Sequence, residues 1–202
     1  AITIQTILNS LSYSGVSTVA LEASSHALAQ RRIDAVSVDT AIFTNLSRDH
    51  LDYHGDMDSY GASKTLLFQK TELQTVIINA DDDFSKVLDS KVASDKRIYR
   101  YSLDNNKADI FCTSISLDRL GVTANVVTPW GQGTLKSSLV GQFNLSNLLA
   151  VVAAAAKRFP LSDVLRVIPL INAPSGRMEL INMESVPGVV VDYAHTPDAL
   201  EK

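Results

Sequence analysis

The spacing of apolar residues changes character along the chain. Ile4, Ile7, Leu8 and Leu11 recur at helical intervals, so residues 2–11 predict an amphipathic helix that Gly15 ends. Residues 18–21, 38–44, 76–78 and 98–101 are short β-leaning runs. The first three deliver polar residues at their C-terminal ends: Glu22, Asn45, and Asn79 followed by Asp81, Asp82 and Asp83. Helical segments are predicted over residues 58–70 and 82–92. Strands that alternate with helices predict an α/β fold with a mostly parallel central sheet, whose strand C-termini form the edge where ligands bind.

The pattern then shifts to consecutive strands over residues 110–117, 122–128 and 134–139, with turn signals at 119–121 and 129–133. This predicts an antiparallel meander added to the parallel sheet. A strong Ala/Leu-rich helix follows over residues 143–158, stopped before Pro160, and a shorter one over 161–168. Residues 169–176 read as a loop, and residues 178–183 and 188–192 as strands around a Pro187–Gly188 turn. A domain boundary is expected near residues 175–179. Residues 1–178 then form one domain, and residues 179–202 begin another.

Composition narrows the classes. Of 202 residues, 46% are hydrophobic and 20% charged, the balance of an ordinary soluble domain, and the net charge of −4 offers no electrostatic footing for nucleic acid. The longest apolar run, residues 148–156, is too short to cross a bilayer, and no signal peptide is evident. Cys112 is the single cysteine, so no internal disulfide can form, and it reads as a small buried residue on a strand. A cytosolic setting is expected. An opening without Met and the end at Lys202 suggest a fragment or a processed chain.

Three constellations carry candidate chemistry. Glu22-Ala23-Ser24-Ser25-His26 places an acid, two hydroxyls and an imidazole after a β-run. That set suits a hard cation and a polar ligand, and it equally suits a turn with a serine N-cap. Asn45-Leu46-Ser47-Arg48-Asp49-His50-Leu51-Asp52-Tyr53-His54-Gly55 packs two imidazoles, two carboxylates and a guanidinium into one stretch, a density that favours a phosphate or metal site. Ala62-Ser63-Lys64 lies in a predicted helix, where a lysine is ordinarily solvated.

These motifs together resemble the central ATP-binding domain of the Mur ligases, most closely the branch that adds the third residue of the peptidoglycan stem peptide. Phe143-Asn144-Leu145-Ser146-Asn147-Leu148, Ser175-Gly176-Arg177-Met178-Glu179 and Val191-Asp192-Tyr193-Ala194-His195-Thr196-Pro197-Asp198 match the same family in the same order. The resemblance implies an ATP-dependent ligase that phosphorylates a substrate carboxylate and lets an amine attack the acyl phosphate. By resemblance, Glu22 holds one Mg²⁺ and His50 contacts a second, and Lys64 matches a lysine carbamylated by CO₂, which turns a cation into a metal-supporting anion. Ser24, Gln30 and Arg32 match positions that bind the UDP-muramoyl-peptide. Asn144 and Asn147 fall near the adenine, although amide capping of their helix explains Asn144 as well. Arg177 matches an arginine that reaches the ATP phosphates, Asp192 an acid on the ribose hydroxyls, and His195 a position near the nucleotide.

The implied partners are therefore the UDP-MurNAc-dipeptide, ATP and an amino acid, either meso-diaminopimelate or L-lysine, with no nucleic acid, no membrane insertion and a monomeric state. The family's phosphate loop is not in this sequence: no Gly-x-x-x-x-Gly-Lys-Ser/Thr run occurs. The family's uridine-binding domain and most of its C-terminal domain are not in it either. These 202 residues alone are accordingly expected not to complete the reaction. A folylpolyglutamate-type ligase, a non-catalytic nucleotide- or UDP-sugar-binding module and a simple NTPase are the alternative readings.

Overall fold

The computed structural model describes residues 2–181 and 189–194. Its elements run in chain order as α1 (Ile2–Tyr13), α2 (Ser25–Ala29), β1 (Thr40–Phe43), α3 (Leu51–His54), α4 (Met57–Phe68), β2 (Thr75–Asn79), α5 (Ser85–Asp89), β3 (Arg97–Ser102), β4 (Ile110–Asp118), β5 (Gly121–Thr128), β6 (Gly131–Ser137), α6 (Gln142–Ala156), α7 (Leu161–Val167), a short 3₁₀ turn (Ile168–Leu170), β7 (Glu179–Ile181) and β8 (Val189–Val191). Six strands form one sheet in the order β1-β2-β3-β4-β5-β6, and β7 pairs with β8 in a separate two-stranded sheet. β3 and β4 run parallel, whereas β4, β5 and β6 form the expected antiparallel meander on the same sheet. The sheet is mixed and mostly parallel, as the sequence pattern implies.

The chain divides into two compact units. The first comprises residues 1–41, 48–76 and 86–97; the second comprises residues 42–47, 77–85 and 98–202. In the first, Leu28, Ile33, Ala41, Tyr60, Phe68, Leu73, Val76 and Leu88 are buried. Lys70 fastens this unit internally, because its ammonium donates to the carbonyl oxygens of Asp34 and Val36. The second unit holds the main core, in which Leu145, Leu148, Leu149 and Val152 of α6 meet Val122, Ala124 and Val126 of β5 and Leu135 of β6. Alanine and leucine cost α6 little rotamer entropy, and each buried leucine contributes roughly 1.5–3 kcal/mol.

Several expectations shift. The predicted strand over residues 18–21 does not form, and Val19 and Leu21 are 44% and 50% exposed. β-propensity alone does not make a strand, and among the described residues the sheet begins at β1. The helix expected over 82–92 shrinks to α5, since Asp82 spends its Oδ1 on the Phe84 N–H and keeps the chain in a turn. The turn before β6 tightens to Pro129–Trp130, with Thr128 opposite Gly131. Cys112 lies on β4 beside a bulge and is half-buried, and burial pushes its thiol pKa up to about 11. The Pro187–Gly188 turn and His195 lie outside the described residues.

Candidate functional site

Ser24 caps α2, its hydroxyl accepting the Ala27 N–H at 3.2 Å, so the capping reading of this motif holds. Glu22 stands exposed in the preceding segment. The next serine is different: Ser25 is buried, and its Oγ lies 2.9 Å from His54 Nε2. The other ring nitrogen of His54 lies 3.4 Å from Ser63 Oγ, which donates to the Ser59 carbonyl. One imidazole thus ties the Glu22–His26 motif to the neighbour of Lys64. Burial, then the nearby His26 and His50 and, more weakly, Lys64, hold the His54 pKa down against Asp52, so near neutral pH the ring offers one donor and one acceptor.

α2 ends in a reversal. Arg31 has φ 54°, in the left-handed region that non-glycine residues rarely adopt, and the Arg32 N–H returns to the Ala27 carbonyl at 2.8 Å. The reversal brings Arg32 beside Gln30: the guanidinium donates to Gln30 Oε1, and Gln30 Nε2 donates to the Tyr53 hydroxyl at 3.0 Å. The predicted substrate residues Gln30 and Arg32 are therefore linked, and Tyr53 completes the chain.

His50 sits at the N-cap of α3 with φ 56°, a second left-handed residue. Asp49 holds it twice, accepting the His50 N–H at 2.7 Å and lying 3.6 Å from its Nδ1. Three of the four histidines meet, the His26 ring being centred 4.9 Å from His50 and 5.4 Å from His54, with Tyr53 at 4.2 Å. Asp56 caps α4 by accepting the Ser59 N–H, an interaction that also lowers its carboxyl pKa. On α4, Tyr60 is 6% exposed and sits one turn before Lys64. The Lys64 ammonium lies 5.1 Å from the Tyr60 ring centre, the His54 ring stacks at 5.1 Å, and His50 meets the same ring edge-on at 5.9 Å. Burial, reinforced by the Asp49 carboxylate, raises the Tyr60 pKa and keeps the phenol neutral.

Among the described residues no three His, Cys, Asp or Glu side chains gather into a metal cage. A Mg²⁺ ion does not require one, because it ordinarily keeps waters and takes phosphate oxygens with one or two protein ligands. The exposed Glu22 carboxylate offers the hard oxygen donor that such a sparse set takes. A concavity of ≈ 450 Å³ lined by Phe68, Lys70, Lys91 and Lys96 contains no predicted site residue, and Lys70 and Lys96 already donate to backbone carbonyls.

In the second unit, Asp82 and Asn79 at the end of β2 hold the segment after β1: Asp82 Oδ2 accepts the Leu46 N–H, and Asn79 Nδ2 donates to the Thr44 carbonyl. Asn144 donates to the Val140 carbonyl at 2.7 Å and so ties the start of α6 to the preceding segment, but it does not cap the helix, whose N-cap is Gly141 with no side-chain cap bond; Asn147 is exposed on α6. The Arg177 guanidinium lies 5.3 Å from the Tyr193 ring centre. Asp192 accepts the Met178 N–H on one carboxylate oxygen and the Ala194 N–H on the other. Met178 is the third left-handed non-glycine residue, at φ 45°. All three such residues flank or are predicted site residues. Sequence reasoning missed Tyr53 and Tyr60 as organisers; the four-residue spacing of Tyr60 and Lys64 was the available signal for the latter.

Comparison with known proteins gives a consistent picture. The sequence profile of the Mur ligase middle domain matches residues 1–155. The UDP-N-acetylmuramoyl-L-alanyl-D-glutamate–2,6-diaminopimelate ligase of Ectopseudomonas mendocina is 50% identical over 200 residues, covering 98% of this chain and 41% of its own. The enzyme of the same name from Neisseria meningitidis serogroup B is 44% identical, with 98% and 41% covered. A solved structure of a ligase with that name superimposes with a TM-score of 0.87 at 36% identity, covering 98% of this chain and 41% of that one. The apo form of L. casei FPGS, at TM-score 0.65 and 20% identity over 83% of this chain and 41% of that one, shares the fold. The chain spans about two fifths of the length of the curated relatives it matches.

Proposed function

Since the chain belongs to the Mur ligase middle-domain family, we propose that it forms part of an ATP-dependent ligase that adds 2,6-diaminopimelate to UDP-N-acetylmuramoyl-L-alanyl-D-glutamate. The observation that carries this reading is the buried Tyr60 ring, which brings His50 and Lys64, two separately predicted residues, onto one side chain. The reaction needs several negative charges gathered while a carboxylate accepts the γ-phosphoryl group and an amine then displaces phosphate. Glu22 and His50 would hold Mg²⁺, which neutralises phosphate charge when bound. Lys64, as its CO₂-derived carbamate, would support Mg²⁺. Ser24, Gln30 and Arg32 would receive the UDP-muramoyl-peptide, with the Arg32 fork suited to an anionic group. Asn144, Asn147, Arg177 and Asp192 would serve ATP. Residues from 179 onward would begin the next domain.

The test is ligation by the complete enzyme that contains this chain, supplied with ATP, Mg²⁺, the UDP-dipeptide and 2,6-diaminopimelate or L-lysine. Product of the UDP-tripeptide mass together with ADP is expected with diaminopimelate. Turnover only with L-lysine would reassign the third residue, and none with either would overturn the reading. Lys64→Arg keeps a cation but cannot be carbamylated, so it should lower turnover roughly 100-fold or more, about 2.7 kcal/mol of transition-state stabilisation.

A further inference from the structure

Among the described residues, the Tyr53 hydroxyl accepts a hydrogen bond but donates none. Arg32 can only donate, so the Gln30 atom facing it must be the carbonyl oxygen, as the geometry has it. That fixes the amide flip: Gln30 Nε2 must face Tyr53, and the Tyr53 oxygen must accept. A phenol that accepts still owns its proton. The ring is held by His26 at 4.2 Å and by His54 at 4.8 Å, yet the residue is 44% exposed and its hydroxyl joins the Arg32–Gln30 pair through the Gln30 amide. Arg32, Gln30 and Tyr53 thus form one hydrogen-bonded chain, and each has a donor hydrogen that the chain does not use.

We infer that Tyr53 is a further direct contact to the UDP-muramoyl-peptide, its O–H donating to an anionic oxygen gripped by the Arg32–Gln30 pair. The inference rests on the proposed role of that pair. It deepens that role by giving the substrate a neutral, rigid donor beside the charged one. A phenol adds selectivity for an oxygen acceptor at little cost in side-chain freedom, because the flanking imidazoles already restrain the ring. The acceptor is either the terminal carboxylate of the glutamyl residue or a diphosphate oxygen, which share the same chemistry.

Tyr53→Phe in the complete enzyme separates the cases, because it keeps the ring and removes only the hydroxyl. The KM for the UDP-dipeptide should rise about tenfold, with kcat, the KM for ATP and the melting temperature unchanged. Gln30→Ala combined with Tyr53→Phe should cost less than the product of the two single effects, since Gln30 orients the phenol. Binding of UDP-muramoyl-L-alanine, which lacks the glutamyl carboxylate, locates the acceptor. A Tyr53→Phe deficit that persists points to the diphosphate, and one that vanishes points to the carboxylate. An unchanged KM for the UDP-dipeptide, or an equal rise in the KM for ATP, overturns the inference while wild-type turnover preserves the proposed function. A wild-type enzyme that fails to ligate overturns both.

Discussion

The α6–meander region and the α2–α3–α4 region are built on different principles. Of the fifteen residues of α6, seven are buried, and they share one apolar core with residues of β4, β5, β6 and α7. α2 and α3 span five and four residues and hold their places through directional contacts: a serine cap, an imidazole between two hydroxyls, an amide between a guanidinium and a phenol, and stacked rings. Burial is non-directional and tolerant of sequence. Hydrogen bonds and ring contacts set angles, which a site needs and a scaffold does not. The two regions should therefore fail differently when a side chain is removed.

The largest effect is expected in the scaffold. Leu149→Ala should destabilise the protein by about 2–5 kcal/mol in chemical denaturation, because the fully buried side chain leaves a cavity. A cost below about 1 kcal/mol would mean that α6 does not anchor the core. Next comes Asp82→Ala, which strips partners from the Leu46 and Phe84 N–H groups and should cost about 1–3 kcal/mol. Smaller again, Ser24→Ala should cost about 1 kcal/mol, while Ser24→Asp keeps the cap and restores stability. If Ser24 also receives substrate, Asp will not restore the KM for the UDP-dipeptide. The smallest effect on the fold is titration of Cys112. With its pKa raised from 9.0 to about 11, its alkylation at pH 8 should run about 100-fold slower than that of an ordinary thiol. The same shift contributes stability that is fully present below pH 9.0 and lost as pH rises through about 11. Burial of Tyr101 adds to that alkaline loss in the same direction.

The difference also explains what the sequence made legible. The meander and α6 could be read because period and composition announce them: alternation in residues 122–128, and Leu145, Leu148, Leu149 and Val152 at helical spacing. The residues of the site were legible as a dense run of polar groups, but their contacts were not. Nothing in linear order says that His54 reaches Ser25, 29 positions away, or that Tyr53 reaches Gln30, 23 positions away. The strand expected over residues 18–21 failed for a related reason: a strand is defined by its neighbour, and Val19 and Leu21 carry propensity without one among the described residues. Of the two short helices beside the site, α2 was announced only by its serine cap and α3 by nothing, since five and four residues show no periodicity.

The left-handed backbone at Arg31, His50 and Met178 bears on how such a protein can be improved. Any search for heat resistance would find glycine attractive at these three places, because glycine relieves the same torsion at no steric cost. At His50 that gain would delete the imidazole itself. At Arg31 and Met178 it would loosen the hinges that aim Arg32 and precede Asp192's bond to the chain. Libraries screened for robustness alone would drift toward variants that lose these side chains or their aim, so selection here has to score the proposed function and endurance together.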